Sequence, residues 1–395
     1  MGSLPLPVLP DLPDEVVRIA ATLERAGFET WCVGGALRDR LLGSPAMDVD
    51  LATAARPEQV RRLFPRTVAV GARFGTVGVL DSQRVLHEVT TFRKDVETDG
   101  RHAVVEFGVT LEEDLARRDF TINALAYHPI RQEWRDPHGG AGDLEGRVIR
   151  AVGNPATRFA EDYLRILRAL RFAARLRFII EPETWSAAMA SAPGLAGLSA
   201  ERVRDEWFKG LASAQSIAAL VTLWQEVGAA REWLPELRAA YPLPVDPPAA
   251  RDPVILTAGL CEMPDAVLER LRASNEEIAR ARALRTGPLA PAGGDARSVR
   301  RWMAEVQGAA DDLMRLAELR AGAAPPWCAE VEGVRSRGEA TTRAGLAVGG
   351  ADLLAIGVPA GPELGRLLSR LLDAVLDDPA RNTREALLAL AEGWR

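Results

Sequence analysis

The stretch that most constrains this chain is residues 30–53, TWCVGGALRDRLLGSPAMDVDLAT. The apolar run Trp31–Val33 reads as a buried strand, Gly34 and Gly35 as a turn, and Ala36–Leu42 as an amphipathic helix. A glycine turn between a strand end and a helix N-terminus presents bare backbone N–H groups and a positive dipole end to an anion. Arg38, in the first helical turn, stands within reach of the same anion as a bidentate donor. After a loop at Gly43–Ala46 comes Asp48-Val49-Asp50 before Leu51. Side chains alternate faces along a strand, so Asp48 and Asp50 share one face while Val49 points into the core. Two carboxylates side by side repel and call for a cation. A site with few hard oxygen ligands suits Mg²⁺ that also holds a substrate phosphate. An isolated Gly-Gly is ordinarily only a tight turn, and an isolated Asp-x-Asp only a solvated loop. Their succession within one strand–turn–helix–strand unit is the informative feature.

That succession, G-G-x-x-R-D followed by D-x-D, resembles the head of the DNA-polymerase-β-like nucleotidyltransferases. More narrowly it resembles the class II tRNA nucleotidyltransferase and poly(A) polymerase family. The rest of the chain carries further matches. GARFGTVGV at 71–79 resembles the tRNA nucleotidyltransferase branch more than the bacterial poly(A) polymerase branch, although a bulged hairpin is an equal reading of its glycines. RRDFTINAL, 117–125, is the most specific single string. By resemblance Arg118 contacts the triphosphate or ribose, and Asp119 and Asn123 help recognise the sugar. RFAEDYLRILRALRF, 158–172, matches the family's nucleotide-selecting motif, with Asp162, Arg165, Arg168 and Arg171 recurring every third residue. LSAERVRDEWFKGL, 198–211, resembles a helix-packing motif.

Composition bounds the reading without deciding it. The 395 residues allow two to four domains, and the net charge of −6 does not advertise nucleic-acid binding. Of 49 basic residues only Lys94 and Lys209 are lysine, so arginine clusters are discounted as coding bias. Cys32, Cys261 and Cys328 form no metal spacing or disulfide framework, and none of the four histidines pairs at zinc spacing. The N-terminus lacks a basic, apolar leader, and no stretch is long enough to span a bilayer. A cytoplasmic protein with no membrane association and no obligate protein partner is expected.

In chain order, residues 13–26 read as a helix with Val16, Ile19, Ala20 and Leu23 on one face, stopped by Gly27. Residues 57–64 read as a short helix, and 67–70, 75–80 and 85–91 as strands. Glu88 lies in the last of these, beside the D-x-D strand, as a candidate third carboxylate or an edge-strand residue. The polar segment 93–110, with Asp99-Gly100 as a turn, reads as mobile; in the family a loop here helps switch addition from C to A. Residues 111–127 begin a helix with Glu112, Glu113 and Asp114 in its first turn. Residues 134–153 form a turn-rich connection, where the family has a hinge. Residues 156–178 read as one strong helix. Beyond about 215 the motifs stop, and helical patterns are broken by Pro-rich linkers at 242–253 and 287–293.

The expected fold is therefore α+β: a polymerase-β-like nucleotidyltransferase head with a mixed sheet and helices (1–135), followed by an all-α neck (136–211), body (212–286) and tail (287–395), the tail binding tRNA. The expected activity is template-independent addition of C, C and A to the tRNA 3′ end from CTP and ATP. Asp48 and Asp50 are the catalytic metal ligands, holding two Mg²⁺ ions ~3.5–4 Å apart with the phosphates. Gly34, Gly35, Arg38 and Arg118 hold the triphosphate. Base choice has a chemical reading: C and A both present an exocyclic amine beside a ring-nitrogen acceptor, whereas G and U present a carbonyl beside a ring N–H. One Asp acceptor and one Arg donor, Asp162 and Arg165, accept the first pair and reject the second. Alternatives are addition of only the terminal A or only CC, poly(A) synthesis, a catalytically silent RNA-binding protein, which the intact D-x-D disfavours, and a metal-dependent phosphohydrolase, which lacks the histidines it needs.

Overall fold

The computed structural model describes residues 12–44, 48–71, 75–98, 103–238 and 251–394. They fall into two compact units, one up to Trp233 and one from Leu234. The sequence boundaries at 135/136 and 211/212 lie inside the first unit, and that at 286/287 inside the second. The linker expected at 242–253 lies largely outside the described residues, as do the Asp99-Gly100 turn and residues 72–74 of the glycine-rich stretch.

The first unit opens with α1 (Asp14–Arg25), whose Val16, Ile19, Ala20 and Leu23 are buried as the helical spacing requires. Then come β1 (Thr30–Val33), α2 (Gly35–Leu41), β2 (Asp50–Thr53), α3 (Pro57–Leu63), β3 (Thr67–Gly71), β4 (Thr76–Leu80) and β5 (Leu86–Thr91). With β8 (Ala126–His128) and β9 (Glu133–Arg135), these strands make one sheet in the order β3-β4-β5-β2-β1-β8-β9. Every pair is antiparallel except β2–β5. Both faces are covered, so the central β1 is buried along its whole length. Cys32, Val49, Leu51, Val77 and Val89 enter the core under α1. Trp31, Val33, Ala52 and Ala126 enter a second core on the other face with Leu111 and Leu115. The alternation sends Asp50, Glu88 and Thr90 to this second side.

Three elements differ from the sequence reading. Segment 93–110 is not a plain loop in its described part: β6 (Arg93–Thr98) and β7 (Ala103–Phe107) pair as an antiparallel ribbon, with Lys94 bridging Glu106. Helix α4 (Leu111–Ala116) stops early, so Arg117-Arg118-Asp119 lie on a bend before a 3₁₀ turn at Thr121–Asn123. The Asp119 carboxylate accepts from Phe120 N–H and from Asn123 Nδ2, a local alternative to the helical ladder. The helix expected at 156–178 is two: α6 (Pro155–Glu161) and α7 (Leu164–Leu176), preceded by α5 (Gly140–Glu145) and the short strand β10 (Val148–Ile149). Asp162 between them is extended, and its Oδ1 accepts Leu164 N–H, which starts α7 afresh. Strand β11 (Ile179–Ile180) pairs parallel with β10, and α8 (Pro182–Ser191), α9 (Ala200–Ser213), α10 (Ile217–Glu226) and α11 (Ala229–Trp233) complete the unit.

The neck helices and the head share a core. Phe120, Ile122 and Leu125 pack with Ala169, Phe172 and Ala173 of α7. The turn-rich connection is also docked: a Cβ on Gly140 would lie 2.2 Å from the Thr121 carbonyl oxygen, so only glycine permits this approach.

The second unit is helical: α12 (Pro253–Leu260), α13 (Pro264–Arg270), α14 (Asn275–Thr286), α15 (Ala296–Val306), α16 (Ala310–Ala321), α17 (Trp327–Ser336), α18 (Gly350–Ala355), α19 (Pro362–Asp377) and α20 (Arg384–Gly393). Arg280 ties Asp252 to Asp312, and buried Arg300 reaches Glu339 and the Leu376 carbonyl. Leu353, Leu371, Val375 and Leu387 centre the core of its last helices. Among the described residues no helix is long and apolar enough to cross a membrane.

A buried histidine gives the first unit a pH dependence. His128 Nδ1 accepts the amides of Ile130 and Arg131, and Nε2 faces Glu24 Oε1 at 3.1 Å beneath the Trp31 ring. Burial and nearby Arg131 push its pKa below the ordinary value, against Glu24 and Glu133. The unfolded chain takes up this proton near pH ~6.5 and the folded one only lower, so this stability is full above that pH and is lost on acidification. The melting temperature is expected to be level above neutrality and to fall below pH ~6.5. His128→Asn, which keeps an acceptor at the Nδ1 position, should flatten that slope; equal slopes in both proteins would refute the assignment. His138, depressed in the same way by burial, leaves a residual slope.

Candidate active site

A cleft of about 600 Å³ lies in the first unit, against the second face of the sheet. One wall is Val33, Gly34, Gly35, Asp50, Ala52, Thr76, Glu88 and Thr90. The opposite side is built from the bend 117–119, Asn123, and the neck residues Asp162, Arg165, Arg168, Arg171, Phe172, Arg175 and Arg202. Nine arginines and five carboxylates line it. A chain with net charge −6 thus concentrates a surplus of four positive charges in one concavity, enough to hold a polyanion such as a triphosphate. The arginines discounted as coding bias gather here.

Gly34 sits where the wall turns into α2, with φ 87° and ψ −157°, a conformation essentially reserved for glycine. A Cβ there would lie 3.4 Å from Asp50 Oδ2 and 3.5 Å from an Arg118 terminal nitrogen. The glycine turn, the carboxylate and the arginine therefore converge on one point. Gly34→Ala is expected to cost about 1–3 kcal/mol of stability through backbone strain and to lower turnover with it. A thermal melt together with initial rates checks this, and a variant with unchanged melting temperature would contradict the strain.

Asp50 faces Val33 in the register of β1 and β2, at the cleft wall. Asp50 is open to solvent at the cleft wall, and the protein atoms crowded round its carboxyl push it up to about 6, followed by the charge of Glu88, with Asp48 adding and Arg118 opposing. Asp48, exposed just before β2, does not line the cleft, but its charge is felt at Asp50. Glu88 does line it, from β5, which runs parallel to β2. Among the described residues no group of three or more His, Cys, Asp or Glu stands close enough to hold a metal unaided. Three mutually repelling carboxylates with an incomplete oxygen set fit a hard divalent ion whose remaining ligands come from a phosphate.

The other predicted residues are present but already engaged. Arg38, buried, was expected to grip the anion with its fork. Instead its Nε and one terminal nitrogen bond Asp39 Oδ1, and the other terminal nitrogen bonds Asn123 Oδ1. Burial lowers its pKa, against Asp39. Asp119 was expected to meet the sugar, yet Oδ1 accepts Phe120 N–H and Asn123 Nδ2 while Oδ2 accepts Arg168 at 2.7–2.8 Å. Burial raises this carboxyl, and Arg168 and Asn123 outweigh that and hold it below the usual range. Arg171 pairs with buried Glu206 of α9 at 2.6 Å. A chain of arginines and carboxylates bridged once by a neutral amide results, Arg175–Asp39–Arg38–Asn123–Asp119–Arg168–Glu206–Arg171. It fixes the anion-facing helix α2 relative to α7 and α9. The guanidiniums of Arg38 and Arg171 also lie 4.9 and 4.3 Å from the Phe172 ring centroid.

Asp162 and Arg165 both line the cleft, but Asp162 lies in the break before α7 rather than on the helix, and the two are joined through the backbone, the Arg165 N–H donating to the Asp162 carbonyl at 3.0 Å. Asp162 Oδ2 accepts Arg202 at 2.6 Å. Arg165 reaches Glu161, the Arg158 carbonyl and the Arg117 carbonyl, which leaves its Nε–H and one terminal hydrogen without a partner among the described residues. Sequence reasoning missed Arg202, which the arginine-rich 198–211 motif contains, and Asp39, which stands in G-G-x-x-R-D itself. Arg118 bonds the Asn123 carbonyl and Asp114, while its buried Nε has no partner.

Comparison with known proteins places the chain among similar sequences and folds. Residues 30–150 match the poly A polymerase head domain, 177–241 the probable RNA and SrmB-binding site of polymerase A, and 336–391 a putative tRNA nucleotidyltransferase domain 2. The CCA-adding enzyme of Streptococcus gordonii is 45% identical over 240 residues, 60% of this chain and 58% of that protein. That of Streptococcus mutans is 47% identical over 203 residues, 51% and 50% of the two chains. The matched region thus spans a little over half the length of these curated relatives. The structure of the Bacillus stearothermophilus CCA-adding enzyme in complex with CTP superposes with a TM-score of 0.83 at 33% identity, covering 98% of both chains. The Thermotoga maritima CCA-adding enzyme complexed with tRNA shares the fold at 20% identity, with a TM-score of 0.67. The chain belongs to the class II tRNA nucleotidyltransferase and poly(A) polymerase family. The match at 336–391 also recovers a domain that the residue patterns beyond 215 showed only as helices.

Proposed function

We propose that this protein is a template-independent nucleotidyltransferase that adds C, C and A to the 3′ end of tRNA from CTP and ATP, acting in the cytoplasm. The observation that carries the reading is the cleft itself. A carboxylate wall carrying Asp50 and Glu88 faces an arginine wall that ends in Asp162 and Arg165. The solved relative with the fuller overlap is described as holding CTP, and another as holding tRNA.

In this reading Asp48 and Asp50, with the nucleotide's phosphates, hold two magnesium ions, which supply activation of the RNA hydroxyl and neutralisation of the departing pyrophosphate. Glu88 stands beside them as a third carboxylate. The N–H groups at Gly34–Gly35 and the Arg118 guanidinium, whose buried Nε lacks a partner, bind the triphosphate. Arg38, Asp119 and Asn123 act behind them by fixing α2 and the bend. Asp162 keeps spare acceptor capacity beyond its bonds to Leu164 N–H and Arg202, because a carboxylate accepts about four hydrogen bonds. It meets the exocyclic amine of C or A, and the remaining N–H groups of Arg165 meet the ring nitrogen. Arg168 and Arg171 brace α7 and surround the nucleotide with positive charge. Positioning and charge neutralisation carry the catalysis.

Because the base readers are held by protein contacts alone, selection should be visible without RNA. Equilibrium titration with CTP, ATP, UTP and GTP in magnesium buffer is expected to show binding of the first two and on the order of a hundredfold weaker binding of the others. Equal affinity for all four would remove the base-reading role from this cleft.

A further inference from the structure

Asp114 has no place in the reaction described so far, yet it is only 1% exposed and is a carboxylate, which requires compensation. Its partners supply it. Oδ1 accepts Arg117 Nε at 3.0 Å and the Arg93 backbone N–H at 3.3 Å; Oδ2 accepts an Arg118 terminal nitrogen at 3.3 Å. One carboxylate of α4 thereby holds both arginines of the bend and the first residue of the β6–β7 ribbon. What it holds faces the cleft: Arg93, Arg117 and Arg118 all line it. Arg118 also projects a buried Nε–H with no partner and stands 3.5 Å from the Cβ position at Gly34, beside Asp50. The Arg117 carbonyl accepts Arg165 at 3.3 Å.

We infer that Asp114 is a positioning residue for nucleotide binding, fixing the Arg117–Arg118 pair so that the Arg118 guanidinium meets the triphosphate in a preset orientation. The inference rests on the reading of the cleft as a nucleoside triphosphate site. Two adjacent guanidiniums repel each other and whatever cation shares the site. A buried anion behind them keeps them together and leaves their outer N–H groups for the substrate. Asp114 is itself among the residues lining the cleft, but both its oxygens are taken up by these donors, and it acts through Arg118.

The test is Asp114→Asn, which keeps the shape and removes the charge. The expected result is a KM for CTP and for ATP raised together by about tenfold, with the melting temperature falling by only a few degrees. The control is Thr110→Ala at the start of the same helix, where Thr110 and Glu113 form a capping box. It weakens α4 without touching the arginines, lowering the melting temperature by a few degrees, and its KM values should stay at the wild-type level. A double-mutant cycle with Arg118→Ala completes the test: in the Asp114→Asn background this second change should raise KM far less than it does alone. Additive effects, or a KM rise in Thr110→Ala equal to that in Asp114→Asn, would show that Asp114 serves only the fold. Wild-type protein that fails to bind or incorporate any nucleotide would instead overturn the functional reading.

Discussion

Asp50→Asn is expected to lower nucleotide incorporation by on the order of a thousandfold or more while leaving the protein folded and bound to tRNA. Asp50 is the carboxylate at which the glycine turn, Arg118 and Glu88 converge, so removing its charge removes the central oxygen donor for a divalent ion. The same convergence makes the ionised group uncomfortable in the folded chain: the surrounding cleft wall and then Glu88 hold its carboxyl at about 6. A neutral amide of the same shape relieves that repulsion. The melting temperature should therefore hold or rise as activity disappears, the pattern of a residue kept for chemistry rather than for the fold. Asp48→Asn should also lose activity, through the second ligand. Near-normal turnover in Asp50→Asn, or inactivity explained by a collapsed melting temperature, would remove it from the catalytic role.

Asp162→Ala should lose selectivity along with rate. A wrong base leaves buried polar groups unpaired at about 1–3 kcal/mol each. Two such mismatches correspond to on the order of a hundred- to ten-thousand-fold discrimination. Removing the carboxylate abolishes the acceptor for the exocyclic amine, so UTP and GTP should gain relative to CTP and ATP. The structure adds two effects. Asp162 caps the start of α7 through Leu164 N–H, so the alanine variant also loses about 1 kcal/mol of stability. It also removes the carboxylate that Arg202 bonds at the cleft wall. Asp162→Asn separates these, since its amide oxygen retains the cap. Single-turnover incorporation of all four nucleotides by both variants decides the matter. A uniform slowing with UTP and GTP still rejected would place base reading elsewhere.

The head was legible because its signals are local. Period-two alternation put Val49 and Leu51 in one core and Asp50 on the other side, and the Gly34 turn fell between β1 and α2 as the sequence indicated. The helical stripe of α1 and the strands at 67–91 emerged for the same reason. The site's inner wiring was not legible, because its partners are far apart in sequence: Asp162 and Arg202 by 40 positions, Asp119 and Arg168 by 49, Asp39 and Arg175 by 136. That is why the bonds of Arg38, Asp119 and Asn123 to other side chains could not be foreseen, although all three line the cleft. The break in the neck helix was hidden too. No glycine or proline marks Asp162, and the apolar stripe continues through it, so only its bonds to Leu164 N–H and Arg202 reveal the interruption. Beyond residue 215, alanine, leucine and arginine repeat without a distinguishing chemistry, and the pattern supports helices and nothing finer.

The central claim, that this cleft completes the 3′ end of tRNA with C, C and A, is tested most directly on tRNA transcripts lacking the last one, two or three nucleotides. Each is incubated with the wild-type protein and CTP alone, ATP alone, or all four nucleotides, and the product masses are read. The account predicts C and C from CTP on the transcript lacking three, A from ATP only on the transcript lacking one, and a single finished C-C-A end when all four are present. Runs of A on every transcript, addition that stops before the final A, or incorporation of G and U would contradict it.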